Sequence, residues 1–474
     1  MTPRERWLAC LNGQRPDRVP TDYWATEEVT QRLLKEWGLP DYAALLRKLD
    51  IDAPAGAGPM MLPALLVLAE VLRVSPGGPI RSLTEALARA HPGDRIVVQA
   101  GTYAEPAIVV TLPVEIVGEG GPLFLGGAHH TIEIRADRVT IRGIEFGRVI
   151  PSMLEDRAAI FVNGGGSCRL EDNRVRDGFF GIYLKGSSGC RIAGNRISGA
   201  AVDRVAQGNG IHLWRSRDVV LVANQVDHHR DGIYFEFVTG ALVRGNTVRG
   251  STRYGLHFMR SDSCRYERNR FAGNGAGVAV MYSRWVHIVD NDFERNWGSA
   301  AYGLLLKEIS DGEVSSNRFD RNTVGLYLDG ANRNRVEANR FTGNGWAIRL
   351  LASAGDNSFE RNVFLGNSFD VATNSRSASS TFRNNWWDRY HGYDLDRDSQ
   401  GDVPFRPVRL FSLVVEQNAP ALLLLRSPFV DLLDTAERLL PILTPETLVD
   451  AHPLMNPPAP APAPASAPTR GLRP

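Results

Sequence analysis

From about residue 160 to 390, apolar and polar positions alternate in short bursts. Gly181-Ile182-Tyr183-Leu184-Lys185, Gly255-Leu256-His257-Phe258-Met259 and Gly325-Leu326-Tyr327-Leu328-Asp329 are typical. A period of two sends neighbours to opposite faces of a strand, so each burst predicts a half-buried β-strand. The bursts keep step with an asparagine. Its ladder reads Asn173, Asn195, Asn224, Asn246, Asn269, Asn291, Asn317, Asn339, Asn362 and Asn384, with steps of 22, 29, 22, 23, 22, 26, 22, 23 and 22. Insertions at 201–207 and 296–301 account for the two long steps. Two residues after each Asn stands an apolar residue, from Val175 through Phe271, Phe293, Phe319, Phe341 and Phe364 to Trp386.

A repeat of about 22 residues made of short strands and turns leaves no room for a helix. It fits one coil of a parallel β-helix, because a strand rises about 3.3 Å per residue and neighbours sit about 4.8 Å apart. A β-propeller, the other repeat architecture, needs roughly 40–50 residues per blade. The expected fold is therefore all-β, a right-handed parallel β-helix, and ten coils make a rod on the order of 50 Å long. Identical positions stack in such a fold. The Asn column is expected in a turn with left-handed or bent backbone, its amides bonding along the stack. The five phenylalanines form one inner column, and a helical pattern over 80–90 caps the N-terminal end.

Around this body lie other zones. Residues 1–58 carry short helical patterns and a Gly/Ala/Pro linker, and are too few to bury a core of their own. The β-helix is assigned to 72–412 and a leucine-rich helical segment to 413–455. The Pro/Ala-rich tail, 456–474, is expected to be extended and disordered. Lys plus Arg is 54 against 53 for Asp plus Glu, a net charge of +1, which argues against a nucleic-acid partner. No run reaches the roughly 18 apolar residues of a spanning helix, so any membrane association is expected to be peripheral. Residues 1–40 are charged and amphipathic rather than a secretory signal, and the apolar run 60–69 reads either as a remnant of one or as a start site.

From Leu72-Arg73-Val74-Ser75-Pro76-Gly77-Gly78 to about Met455 the chain resembles the NosD family, β-helical accessory proteins of nitrous oxide reductase maturation. The resemblance rests on Gly210-Ile211-His212-Leu213-Trp214, Tyr254-Gly255-Leu256-His257-Phe258-Met259, Trp386-Trp387-Asp388-Arg389-Tyr390 and Arg426-Ser427-Pro428-Phe429-Val430-Asp431. It implies a periplasmic, non-enzymatic docking platform that helps to build a copper–sulfur centre. The implied partners are an ABC transporter membrane subunit, a copper chaperone and nitrous oxide reductase. No Gly-x-x-x-x-Gly-Lys-Ser/Thr loop is present, so ATP hydrolysis falls to another chain. Arg4-Glu5-Arg6-Trp7-Leu8-Ala9 and Pro16-Asp17-Arg18-Val19-Pro20 resemble the first helices of the uroporphyrinogen decarboxylase superfamily, whose barrel is missing here, so no activity is expected of them.

Alternation places His257 and Met259 on an outer face, with Met281 on the next coil and His212 two coils back. Thioether and imidazole ligands select Cu(I), the metal the resemblance implies. The alternative is an apolar partner patch with Trp214. Further partner contacts are expected at Tyr234 and Glu236 on that face, and at Phe429, Leu432 and Leu433 in the C-terminal segment. Asp394, Asp396, Asp398 and Asp402 form an acidic loop that reads either as a structural calcium or magnesium site or as a solvated turn. Cys168 and Cys190 stack on adjacent coils, but parallel Cβ vectors suit bridging poorly, so an unbridged buried pair is expected. The pairs His129-His130 and His228-His229 point opposite ways and are weak metal candidates. A carbohydrate-binding or carbohydrate-cleaving surface built on Trp214, Tyr183 and Tyr234 is the runner-up, although Glu236 is the sole acid at the middle of the face.

Overall fold

The computed structural model describes residues 27–40, 42–49, 70–152, 154–199, 207–298, 300–375, 379–425, 427–439 and 448–458. The chain divides into two units, 1–69 and 70–474. In the first, helices α1 (Glu27–Glu36) and α2 (Tyr42–Lys48) bury Leu45 and Leu46, and the Lys48 ammonium lies 5.1 Å from the Trp37 ring centre. The segments carrying the decarboxylase-superfamily resemblance, the run 60–69 and the tail from 459 lie outside the described residues.

The second unit is the expected parallel β-helix. Its strands form three sheets of 14, 12 and 13 strands, each paired in parallel with the next coil, giving about 13 coils. About three more coils exist than the Asn ladder counts; in the one just before Asn173, Ile144 stands at the ladder position and donates its N–H to Asn173 Oδ1 at 3.1 Å. Helix α3 (Leu83–Arg89) is capped by Ser82, whose Oγ accepts the Glu85 N–H at 3.1 Å. It buries Leu83 and Ala86 and packs on the strands Val71–Val74 and Ile108–Val110, covering the open end.

The core is a set of stacked columns. Phe271, Phe293, Phe319, Phe341 and Phe364 lie nearly parallel, with centroids 4.7–5.7 Å apart. From Asn195 on, each Asn Oδ1 of the ladder accepts both the backbone N–H and the Nδ2 of the Asn one coil earlier, as Asn317 does from Asn291 at 2.9 and 3.0 Å. Three details depart from expectation. The last member is Asn385, not Asn384, and the aromatic column ends in Trp387, 4.0 Å from Phe364, not in Trp386. The left-handed residue is the one before each Asn (Asp172, Ala223, Arg268), and Asn384 fills that place in the last coil with φ 55°. A second ladder runs five residues further on, through Asn274, Asn296, Asn322, Asn344 and Asn367.

Cys168 and Cys190 form a disulfide with Cα atoms 4.5 Å apart, correcting the expectation of an open pair. The coil spacing lies inside the range a disulfide spans, and this outweighs the parallel Cβ vectors. At the other end the chain folds back on the rod. Asp450 Oδ2 takes the place of the missing next Asn, accepting from Asn385 N and Nδ2 at 3.0 Å and from Trp387 Nε1 at 3.1 Å. Helices α4 (Leu410–Gln417) and α5 (Pro428–Leu439) bury Phe411, Val415 and Val430 against Phe369. Among the described residues no helix is long and apolar enough to cross a membrane.

Candidate functional site

The 12-stranded sheet sets out two outer columns by strict register. The first runs Phe161, Tyr183, His212, Tyr234, His257, Ala279, Leu305 and Tyr327. Beside it run Lys185, Trp214, Glu236, Met259, Met281, Lys307 and Asp329. A glycine precedes each inward residue because the next coil's backbone comes too close for a side chain. A Cβ on Gly255 would lie 2.7 Å from the Gly277 carbonyl oxygen.

Rings stack along the first column. Centroids are 4.5 Å apart for Tyr183 and His212, 4.7 Å for His212 and Tyr234, and 5.0 Å for Tyr234 and His257. Burial drives the His212 imidazole down to about 3, helped by the Arg230 charge, so it is neutral at any physiological pH. Burial pushes the Tyr183 and Tyr234 phenols up to about 12. Tyr234 donates to Glu236 Oε2 at 3.2 Å.

At the centre of the face lies a cluster that alternation did not foresee. Asp231 is fully buried and pairs with Arg253, whose Nε donates to Oδ1 at 2.8 Å and whose Nη2 contacts Oδ2. Burial pushes its carboxyl up, but hydrogen bonds and charge from Arg253 and His257 outweigh this and hold it below the usual value. His257 Nδ1 lies 3.3 Å from Asp231 Oδ2 and 3.2 Å from Arg253 Nη2. With the proton on Nδ1, toward the Asp231 carboxylate, the lone pair falls on Nε2. That Nε2 is buried and has no hydrogen-bond partner.

Of the residues expected to act together, Met259 and Met281 are register partners on adjacent strands, and His257 stands two residues before Met259 in the neighbouring outer column. His212 is separated from His257 by the Tyr234 ring. Trp214 and Glu236 are register neighbours on the second column. In the C-terminal segment Phe429 and Leu432 are exposed at 46% and 65%, while Leu433 packs inward beside Phe411. The Asp394, Asp396 and Asp398 carboxylates cluster within 4.8 Å. Asp394 accepts the N–H groups of Arg397, Asp398 and Ser399, and Asp402 accepts that of Leu395. These bonds are those of a self-satisfied turn. His229 is buried at 1% exposure and its neighbour His228 sits at φ 59°, so that pair diverges. Asp231 stands out in the sequence as a charged residue just ahead of the strand's Gly, where the parity is inward and an apolar residue would be ordinary, but nothing there reveals its contact with His257.

Coils of this kind define a parallel β-helical protein, here with an ordered imidazole, phenol and thioether surface on one outer sheet. The family model described as periplasmic copper-binding protein (NosD) matches residues 194–393, which include His212, His257, Met259 and Met281. The chain is 30% identical over 427 residues to the probable ABC transporter binding protein NosD of Pseudomonas aeruginosa, covering 86% of this chain and 97% of that one. The Stutzerimonas stutzeri protein of the same description is 26% identical, over 79% and 90%. The chain belongs to the NosD family. Solved structures with similar coils include the Dettilon tailspike protein, with TM-score 0.49, 13% identity and coverage of 62% and 65%. Another is the family 28 exopolygalacturonase of Yersinia enterocolitica, with TM-score 0.49, 12% identity and coverage of 68% and 79%.

Proposed function

We propose that this chain is a non-enzymatic periplasmic platform that receives Cu(I) at His257, Met259 and Met281 and passes it on during assembly of the copper–sulfur centre of nitrous oxide reductase. The observation that carries the reading is His257 Nε2, buried and without a hydrogen-bond partner, while Nδ1 lies 3.3 Å from Asp231 Oδ2. A metal-binding imidazole is typically fixed in this way, with its second nitrogen on a carboxylate. The neighbouring thioethers make the donor set soft, which suits Cu(I) over harder ions. Copper is cargo here: Met259 and Met281 stand half-exposed on the outer sheet and would meet the incoming ion first, while the buried His257 nitrogen lies behind them, an arrangement that fits transfer better than a closed cage.

In this scheme the copper chaperone delivers to the outer sheet, and the transporter's membrane subunit engages the exposed side of the C-terminal helices. Leu423, Phe429 and Leu432 stay solvent-facing although α4 and α5 bury their other side. The 394–402 loop serves as a closed turn near the Asp450 cap. The test of the platform is co-purification with the transporter and reductase subunits. Phe429→Ala with Leu432→Ala is expected to lose the transporter while keeping the fold, and unchanged association removes the docking role from these helices.

A further inference from the structure

Along the edge of the same sheet, each strand ends in a turn residue with left-handed backbone. In consecutive coils this column reads Gly186, Arg215, Phe237, Arg260 and Tyr282, with φ between 47° and 63°, before Glu308 ends the cationic stretch. Glycine is the ordinary occupant of such a place, and a bulky ring there costs about 1–2 kcal/mol. Among the described residues, Phe237, Tyr282 and Trp285 are the Phe, Tyr or Trp residues at positive φ; the first two belong to this edge and Trp285 follows three residues after Tyr282. They are also exposed, at 39%, 47% and 53%.

Cations and rings alternate here. The Lys185 ammonium lies 5.4 Å from the Trp214 centroid, and the Arg215 guanidinium carbon 4.6 Å from Trp214 and 5.9 Å from Phe237. Arg260 lies 5.7 Å from Phe237 and 6.0 Å from Tyr282. Many arginines elsewhere on the rod are matched by carboxylates, as Arg249 is by Asp227, Arg244 by Glu267 and Arg333 by Asp311, though not all are. No ion pair joins Lys185, Arg215 or Arg260 to a carboxylate among the described residues. A guanidinium laid against a ring is held flat, with its N–H fork turned outward for a two-point contact to a carboxylate.

We infer that this strip is a docking site for an acidic protein surface, one that presents carboxylates to Arg215, Arg260 and Lys185. Charge complementarity points to that occupant. A uronate polymer would also bring carboxylates, but sugar stacking needs free ring faces, and the cations already lie over Trp214, Phe237 and Tyr282. Met259 and Met281 immediately precede Arg260 and Tyr282 in the chain, so a protein seated on the strip stands over the thioethers. This last step rests on the copper reading above, and names the surface by which a copper donor or acceptor is recognised; the docking itself does not require copper.

The experiment uses the full chain and a fluorescent peptide rich in Glu and Tyr, followed by anisotropy as salt is raised. A neutral peptide of equal length and an oligogalacturonate are run in parallel. The acidic peptide is expected to bind, to weaken with salt, and to lose at least about tenfold in affinity in Arg215→Glu/Arg260→Glu. Cu(I) uptake by that variant is expected to match the parent, whereas His257→Ala/Met259→Leu/Met281→Leu is expected to keep the peptide. Failure of the copper reading alone would leave peptide binding intact. Equal peptide binding by parent and charge-reversed chain overturns the docking site, as does binding of the oligogalacturonate but not the peptide. Should the variant unfold, salt-insensitive peptide binding by the parent overturns it equally.

Discussion

Replacing Asn317 by Ala removes one rung of the buried ladder, and its cost follows from the bonds. The Asn317 Oδ1 accepts from Asn291 N at 2.9 Å and Nδ2 at 3.0 Å, while its Nδ2 donates to Ile288 O at 2.7 Å and Asn339 Oδ1 at 3.0 Å. Asn339 Oδ1 keeps the Asn317 backbone N–H, and Asn291 Nδ2 keeps the carbonyls of Tyr266 and Val289. The Asn291 N–H keeps nothing. One orphaned buried donor costs about 1–3 kcal/mol, and the other lost bonds add roughly 0.5–1.5 kcal/mol each, so about 4 kcal/mol is expected. Because coils contact only their neighbours, the damage is local and divides the stack. Urea unfolding is expected to lose its single transition, and amide exchange to show early opening at Asn291. A loss below about 1 kcal/mol with Asn291 still protected would refute the ladder as a source of stability.

Reducing the Cys168–Cys190 bond, which closes a 22-residue separation, is expected to lower stability by about 3 kcal/mol; intact-mass measurement with and without reductant reports the bond. Asp370 is buried beside Asp388, Arg389 and Arg409, and burial raises its carboxyl to about 6. The folded state then holds the proton more tightly than the unfolded one, so stability falls as pH rises from about 4 to about 6. Asp370→Asn is expected to flatten that slope and gain on the order of 2 kcal/mol at pH 7, read from thermal melts across pH. Asp231→Asn leaves the donors in place but releases His257, and is expected to weaken Cu(I) binding roughly 10–100-fold in chelator competition.

The coil, its period and its inner phenylalanine column were legible because every repeat restates them. Errors arose where the repeat doubles or ends. Asn384-Asn385-Trp386-Trp387 offers two registers of the same motif, and only the backbone shows that Asn384 occupies the left-handed place. The second ladder, from Asn274 to Asn367, was readable as an Asn five residues after the first. The partners of His257 were not: Arg253 shares its parity, but Asp231 falls on the inward parity of Ile233 and Phe235, so alternation alone does not bring the two together at His257. Burial of His212 and His257 on an outer face likewise depends on Phe180, Tyr234 and Tyr254 packing over them, which no single repeat reveals.

The most direct test of the copper assignment is X-ray absorption of the protein loaded with Cu(I). A first shell of one imidazole nitrogen and two sulfurs is expected, with the sulfur contribution gone in Met259→Leu/Met281→Leu and the nitrogen gone in His257→Ala. A shell of nitrogen and oxygen alone, or one unchanged by these substitutions, would contradict it.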